Sequence, residues 1–311
     1  MRWAERNGSQ YLLRKTQQSE TSLGPKSAQT EAAFRAFATG RKDNQERLKG
    51  LSARLDELAP INRAMGLGRL PTTAARILRL TDDEGLLGEQ LLVVGTNALF
   101  AYEALAGVQI TSDLVATGDI DLLFDARRHL SLALQDFRRS GLIGLLQKID
   151  RSFVRLHPRG FRAANSNGYL VDLIRPEAKD AFRDKKPAAL TDLADDLEGA
   201  AIFGLDWLVN SPRLEAIAID ERGYPVRMVV IDPRAFALHK AWLSSRPDRE
   251  PIKATRDLQQ SKAAAVIATQ YLRRSFNSPD LAALPNALRE LAPSLVDAGN
   301  DGRPTSPSPN W

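Results

Sequence analysis

The chain has 311 residues, 43% hydrophobic and 26% charged, with a formal net charge of +5, no cysteine and three histidines. That composition fits a globular protein with room for two domains. It excludes disulfides, thiolate zinc sites and a cysteine nucleophile, and the scattered His129, His157 and His239 exclude a histidine-rich metal site.

Residues 1–15 are polar and charged and lack the apolar core of a signal peptide, so a cytoplasmic location is expected. Residues 1–27 read as a poorly ordered lead-in with one short helical turn at 11–15. A helical arm is expected over 28–85. Within it Leu48, Leu51, Leu55 and Leu58 recur at three- and four-residue spacing, a seam short enough to suggest a hairpin packed on the body. Gly66, Gly68 and Pro71 then precede a second helix over 72–80. From 86 to 180 the pattern alternates in type. Strands are expected at 91–94, 120–124, 152–157, 161–164 and 169–174, with helices at 97–105 and 129–148, and an Asn167-Gly168 turn joins the last two strands. Asn97, Glu103 and Gln109 interrupt the apolar run 91–110, so no membrane span is expected. Over 181–275 an acidic patch (Asp192, Asp195, Asp196, Glu198) precedes strands at 213–219 and 225–230. Asp232-Pro233 then opens a helix to about Ser244, and Pro251 opens another to about Arg274. Residues 292–311 are rich in Pro, Ser, Gly, Asn and Asp and read as disordered. The fold class is α/β (α+β), with a mixed sheet between helical regions.

The chemistry concentrates in Gly118-Asp119-Ile120-Asp121. Alternate side chains of a strand share a face, so Asp119 and Asp121 point together. Two ionised carboxylates on one face of an apolar strand repel and lose hydration unless a cation or donors compensate. Mg²⁺ suits such a pair, being held by one or two carboxylates together with substrate phosphates. Asp172 interrupts another apolar run. Gly95-Thr96 follows the apolar strand 91–94, where glycine permits close backbone approach and a helix starting near Asn97 favours phosphate. The plainer alternative makes Asp119 a strand-end cap and Asp121 a hydrogen-bonded buried carboxylate.

Three segments together, Val93-Val94-Gly95-Thr96-Asn97-Ala98-Leu99, Ala116-Thr117-Gly118-Asp119-Ile120-Asp121 and Val171-Asp172-Leu173-Ile174-Arg175-Pro176, resemble the nucleotidyltransferase-fold superfamily typified by DNA polymerase beta. Its signature is a Gly-Ser-like turn at a helix start, an Asp-x-Asp pair on the next strand and a third carboxylate on a later one. The chain is most similar to an uncharacterised bacterial group of that fold, over most of residues 9–275. A more remote resemblance to abortive-infection nucleotidyltransferase toxins rests on His239-Lys240 and Arg256-Asp257-Leu258. Val115 stands where those toxins carry Arg, and Gln259-Gln260 where they continue Tyr-Asp.

The resemblance implies Mg²⁺-dependent transfer of an NMP from an NTP to an acceptor hydroxyl, on RNA (tRNA-like) or on a protein. Asp119 and Asp121 would hold one Mg²⁺, and a second, shared with Asp172, would activate the acceptor; Mn²⁺ is the alternative ion. Gly95, Thr96 and Lys240 would bear the pyrophosphate charge, with Asn97, Arg256 and Asp257 in support. Residues 1–90 and 234–274 are net basic around an acidic remainder, which favours a polynucleotide. Arg41, Lys42, Arg76, Arg79, Lys253 and Lys262 are the candidates to contact it. The same charges equally suit solvated helix faces, and Arg256 and Asp257 a helical ion pair with Lys253. A catalytically silent module binding RNA or a partner protein is the rival from another class. A small-molecule acceptor is a third reading, which an acidic cleft rim would favour.

Overall fold

The computed structural model describes residues 1–6, 8–16, 19–127, 135–178 and 189–300. His129 and the end of the expected disordered tail, 301–311, lie outside them. By packing, the chain divides into two units, Met1–Ile61 and Asn62–Trp311.

The first unit corrects the expectation of a disordered lead-in. Strands β1 (Arg2–Arg6), β2 (Ser9–Thr16) and β3 (Ser19–Pro25) form an antiparallel meander in which Trp3 pairs with Leu12 and Thr16 with Ser19. The expected helical turn at 11–15 is strand. A meander needs only a few apolar residues to hold it, and here consecutive Leu12 and Leu13 are buried, one on each face, while Trp3 packs 5.7 Å from Phe34. Helix α1 (Ala28–Ala64) opens on a reciprocal cap: the Ser27 amide donates to Thr30 Oγ1 at 2.8 Å and the Thr30 amide to Ser27 Oγ at 3.3 Å. It runs 37 residues without reversal, so the expected hairpin is absent. Gly40 and Gly50 cost about 1 kcal/mol each relative to Ala, too little to break it. Leu48, Leu51, Leu55 and Leu58 are 38–67% exposed, so the seam is a solvent-facing stripe.

Among the described residues the second unit is built on a nine-stranded mixed sheet. Chain order runs β4 (Gly68–Leu70), α2 (Thr72–Asp83), β5 (Leu91–Val94), α3 (Ala98–Ala106), α4 (Ser112–Val115), β6 (Asp119–Phe124) and α5 (Gln135–Ile149). It continues with β7 (Val154–Arg155), β8 (Arg162–Ala164), β9 (Leu170–Pro176), β10 (Ala200–Ile202), α6 (Leu205–Val209), β11 (Arg213–Asp220) and β12 (Pro225–Ile231). In space the strands lie β4-β11-β12-β5-β6-β9-β8-β7, with β10 also on β9. All four residues of β5 are buried, as a strand covered on both faces requires. The apolar run 91–110 thus resolves into β5 and α3, and among the described residues no helix is long and apolar enough to cross a membrane.

The hairpin β11–β12 turns at Asp220, whose Oδ1 accepts from the amides of Arg222 and Tyr224 at 3.0 and 2.9 Å. It sits between β4 and β5, so residues expected in a separate C-terminal region supply interior strands of the core. Strand β12 is buried at five of its seven positions, a burial that an outlying hairpin could not reach. β10 and α6 fall between the expected strands 169–174 and 213–219, in a stretch for which no element was named.

Helix α7 (Pro233–Ser244) starts as expected, with the Asp232 side chain accepting from the Arg234 amide. Helix α8 (Pro251–Val266) continues through a π-helical turn, Ile267–Tyr271, and ends short of Arg274. Two further helices, α9 (Asn286–Arg289) and α10 (Ala292–Asn300), follow, the second where disorder was expected. Burial of Leu284, Leu288 and Leu295 holds this segment on the body.

Candidate active site

Strand pairing brings the three aspartates together. Asp119 and Asp121 alternate on β6, and in the parallel β6–β9 pairing Asp121 stands opposite Asp172. In-register neighbours on adjacent strands, about 4.8 Å apart, project to one face. The three carboxylates therefore share one wall of a cleft of about 560 Å³.

Gly95 closes that wall from below. Its φ is +62°, and a Cβ there would fall on Asp121 Oδ2 and lie 2.9 Å from its Cγ. Both the left-handed backbone and the close approach require glycine. Thr96 faces the cleft and its hydroxyl accepts from Gln260 Nε2 at 3.2 Å. Asn97 is buried and braces the turn to β6, its Nδ2 donating to the Asp119 carbonyl at 2.6 Å, while its Oδ1 has no partner among the described residues. α3 begins one residue later, so the helix N-terminus and the carboxylates meet at one corner.

The three carboxylates differ in state. Asp119 Oδ1 accepts from the Thr117 hydroxyl. Asp172 is 5% exposed, and Arg162 grips both its oxygens, Nε to Oδ1 at 2.6 Å and Nη2 to Oδ2 at 2.5 Å. Among the described residues Asp121 has no such donor: burial, followed by the charges of Asp119 and Asp172, pushes its pKa up to about 7, opposed by Lys240 and Arg162. Among the described residues no group of three or more His, Cys, Asp or Glu side chains is arranged to hold a metal ion.

The opposite wall comes from α7 and α8. Lys240 Nζ donates to Asp257 Oδ1 at 2.6 Å, and Arg249 donates to Asp257 Oδ2 through Nε at 2.8 Å. Asp257 is 3% exposed, so it is a buried anchor for two cations that line the cleft. Arg256 donates to the Ala116 carbonyl and, at 3.5 Å, to that of Leu114, tying α8 to the loop before Asp119. Lys253 pairs with Glu250 at 2.7 Å and Asp257 with Lys240 and Arg249, so the alternative reading of a helical ion pair of Arg256 and Asp257 with Lys253 does not hold. Replacing Asp257 by Asn should destabilise the fold by about 3 kcal/mol, because breaking a buried ion cluster leaves cations unpaired. A urea midpoint unchanged from wild type would contradict this.

Among the other basic candidates, Arg79 is committed to Asp220 at 2.8 Å and Arg76 to the Ile149 carbonyl at 2.5 Å, both structural roles. Lys253 lines the cleft. Lys262 is exposed on α8, and Arg41 and Lys42 are exposed residues of α1 in the first unit.

Sequence reasoning missed Arg162, Arg249 and Gln260. Arg162 pairs with Asp172 across β8 and β9, whereas the expected two-residue Asn167-Gly168 turn would set it opposite Leu173, so the hairpin was legible but its register was one residue out. Gln260 lies one helical turn from Arg256 on α8; its Nε2 donates to the Leu114 carbonyl at 2.7 Å. Arg249, in a loop, carried no local signal.

A nucleotidyltransferase family model matches residues 72–284, a span that contains every cleft residue named above. No curated protein matches the chain. Among solved structures, the crystal structure of an antigenic nucleotidyltransferase-like protein from Paracoccidioides brasiliensis is similar at 16% identity over 73% of this chain and 91% of its own, with a TM-score of 0.33. A superposition that loose carries no inference about the site. The family match covers well over half the chain, and on it the protein belongs to the nucleotidyltransferase family.

Proposed function

We propose that the protein transfers an NMP from an NTP to a hydroxyl of an RNA acceptor, with Mg²⁺ as cofactor. The observation that carries this reading is the register of β6 and β9, which sets Asp121 beside Asp172, with the Gly95-Thr96 turn against Asp121 and all of them lining one cleft.

The residues present fit a divalent cation. Asp121 is a half-buried carboxylate whose ionisation two neighbouring carboxylates oppose, the situation that a cation relieves. Asp119 and Asp121 would hold it; a second ion at Asp172 would share that carboxylate with Arg162. A bound Mg²⁺ would neutralise phosphate charge and activate the acceptor hydroxyl. The chain's own part is to bind and orient. The start of α3 offers amides and the Thr96 hydroxyl to phosphate oxygens. Lys240, Arg249, Lys253 and Arg256 on the opposite wall make the rim basic, which favours a polyanionic acceptor over a small cationic one. Transfer would join the acceptor oxygen to the α-phosphorus and release pyrophosphate, whose charge Lys240 faces.

The more remote resemblance to abortive-infection toxins rests on Lys240 and Asp257, which do meet. One observation favours a second reading, a catalytically silent binding module: both Asp172 oxygens are engaged by Arg162. Incubating the protein with each labelled NTP, Mg²⁺ and total RNA or cell lysate separates the two. Label in RNA is the expected result. Label in protein alone would replace the acceptor, and no label with any NTP would leave the binding module.

A further inference from the structure

One side chain of the cleft is placed at a cost that packing does not explain. Gln260 of α8 is 1% exposed and lines the cleft with Thr96, and its Oε1 is buried with no hydrogen-bond partner among the described residues. A buried acceptor left unpaired destabilises a fold relative to an apolar side chain of similar shape, such as methionine. The amide is nonetheless held on a firm support. Its neighbour Ser261 donates to the Ala237 carbonyl at 2.6 Å, which fastens α8 to α7, and Arg256, one turn earlier, grips the Ala116 carbonyl.

The partners of this amide fix which way it points. The Leu114 carbonyl can only accept, so the atom 2.7 Å from it is the NH2 nitrogen. That nitrogen carries two hydrogens; one goes to Leu114 and the other to Thr96 Oγ1 at 3.2 Å. A hydroxyl has one hydrogen and two lone pairs, and here Gln260 occupies a lone pair. Gln260 takes nothing in return, since its Oε1 has no partner. The Thr96 hydrogen is therefore left for a group that enters the cleft. Beside the start of α3, the group that such a donor suits is a phosphate oxygen.

We propose that Gln260 is a positioning residue, which fixes the Thr96 hydroxyl as a hydrogen-bond donor to the triphosphate of the incoming nucleotide. This rests on the reading of the Gly95-Thr96 turn as the phosphate site of the cleft and names the residue that orients it. The unpaired Oε1 follows from an amide that must present its NH2 to two acceptors at once.

Isothermal titration of the protein with inorganic triphosphate in Mg²⁺ tests it without turnover, because every NTP carries that group. Thr96→Val should weaken binding about tenfold, the range of one lost hydrogen bond to a charged group, and Gln260→Met by a similar factor. The double variant should bind no worse than Thr96→Val alone, since Gln260 acts only through that hydroxyl. Thr96→Ser, which keeps the hydroxyl, should bind as wild type does. Gln260→Glu should lose more than Gln260→Met, because a carboxylate takes the Thr96 hydrogen and repels phosphate; if the buried charge prevents folding, Gln260→Met, uncharged and of similar shape, decides the matter. A merely structural glutamine would cost the same factor in both backgrounds, about a hundredfold in the double variant. That result would overturn the proposal, as would unchanged binding by Gln260→Met or no affinity of the wild type for triphosphate. Failure of the transfer reading shows separately, as a wild type that binds triphosphate and incorporates no label.

Discussion

Replacing Asp121 by Asn is expected to reduce nucleotidyl transfer at least about a hundredfold while raising the melting temperature of the metal-free protein at pH 8. The two effects share a cause. Burial first, then the charges of Asp119 and Asp172, hold the folded-state pKa near 7 against an ordinary 3.8. Between those values the folded protein keeps a proton that the unfolded chain releases, so stability falls as pH rises from about 4 to 7 and then levels off. Asn does not ionise, so the variant escapes that loss. Its advantage should be absent below about pH 4, grow through pH 7 and stay constant above. The gain is on the order of a few kcal/mol at most, or several degrees in a unit of this size. Calorimetry in chelator at pH 5 and pH 8 decides the matter. Equal shifts at both pH values would refute the electrostatic account, and wild-type transfer by Asp121→Asn would refute the site.

Gly95→Ala should be the most damaging single methyl group in the cleft. The left-handed backbone alone costs a non-glycine residue about 1–2 kcal/mol. The added Cβ would also occupy the place of Asp121 Oδ2, forcing either the turn or the carboxylate to move. Transfer should fall as far as in Asp121→Asn, now with a loss of stability. A double-mutant cycle isolates the contact: once Asp121 is Ala, Gly95→Ala should cost only the backbone penalty. If the cost of Gly95→Ala were the same in both backgrounds, the turn would not be packing on Asp121.

Local rules carried much of the site. The period of two in a strand set Asp119 and Asp121 on one face, and the glycine after an apolar strand marked the turn beneath them. Asp232-Pro233 announced the start of the helix that carries Lys240. Each of these is decided within a few residues by sterics or capping, and so it is legible without the rest of the chain. The polar composition of residues 1–27 misled, because a three-stranded meander needs little apolar surface, and the leucine spacing in α1 gave periodicity without saying what, if anything, covers it. What only tertiary structure decided was register and partnership. Parallel strands β6 and β9 are separated by a long crossover, and their hydrogen bonding alone does not choose which residue faces Asp121; the packing of both sheet faces placed Asp172 there. The same packing brought Arg162 onto Asp172 and joined Lys240, Arg249 and Asp257 from three segments. These contacts determine which carboxylate is paired and which is left to ionise at about pH 7, because charge and burial depend on distance in space rather than on spacing along the chain.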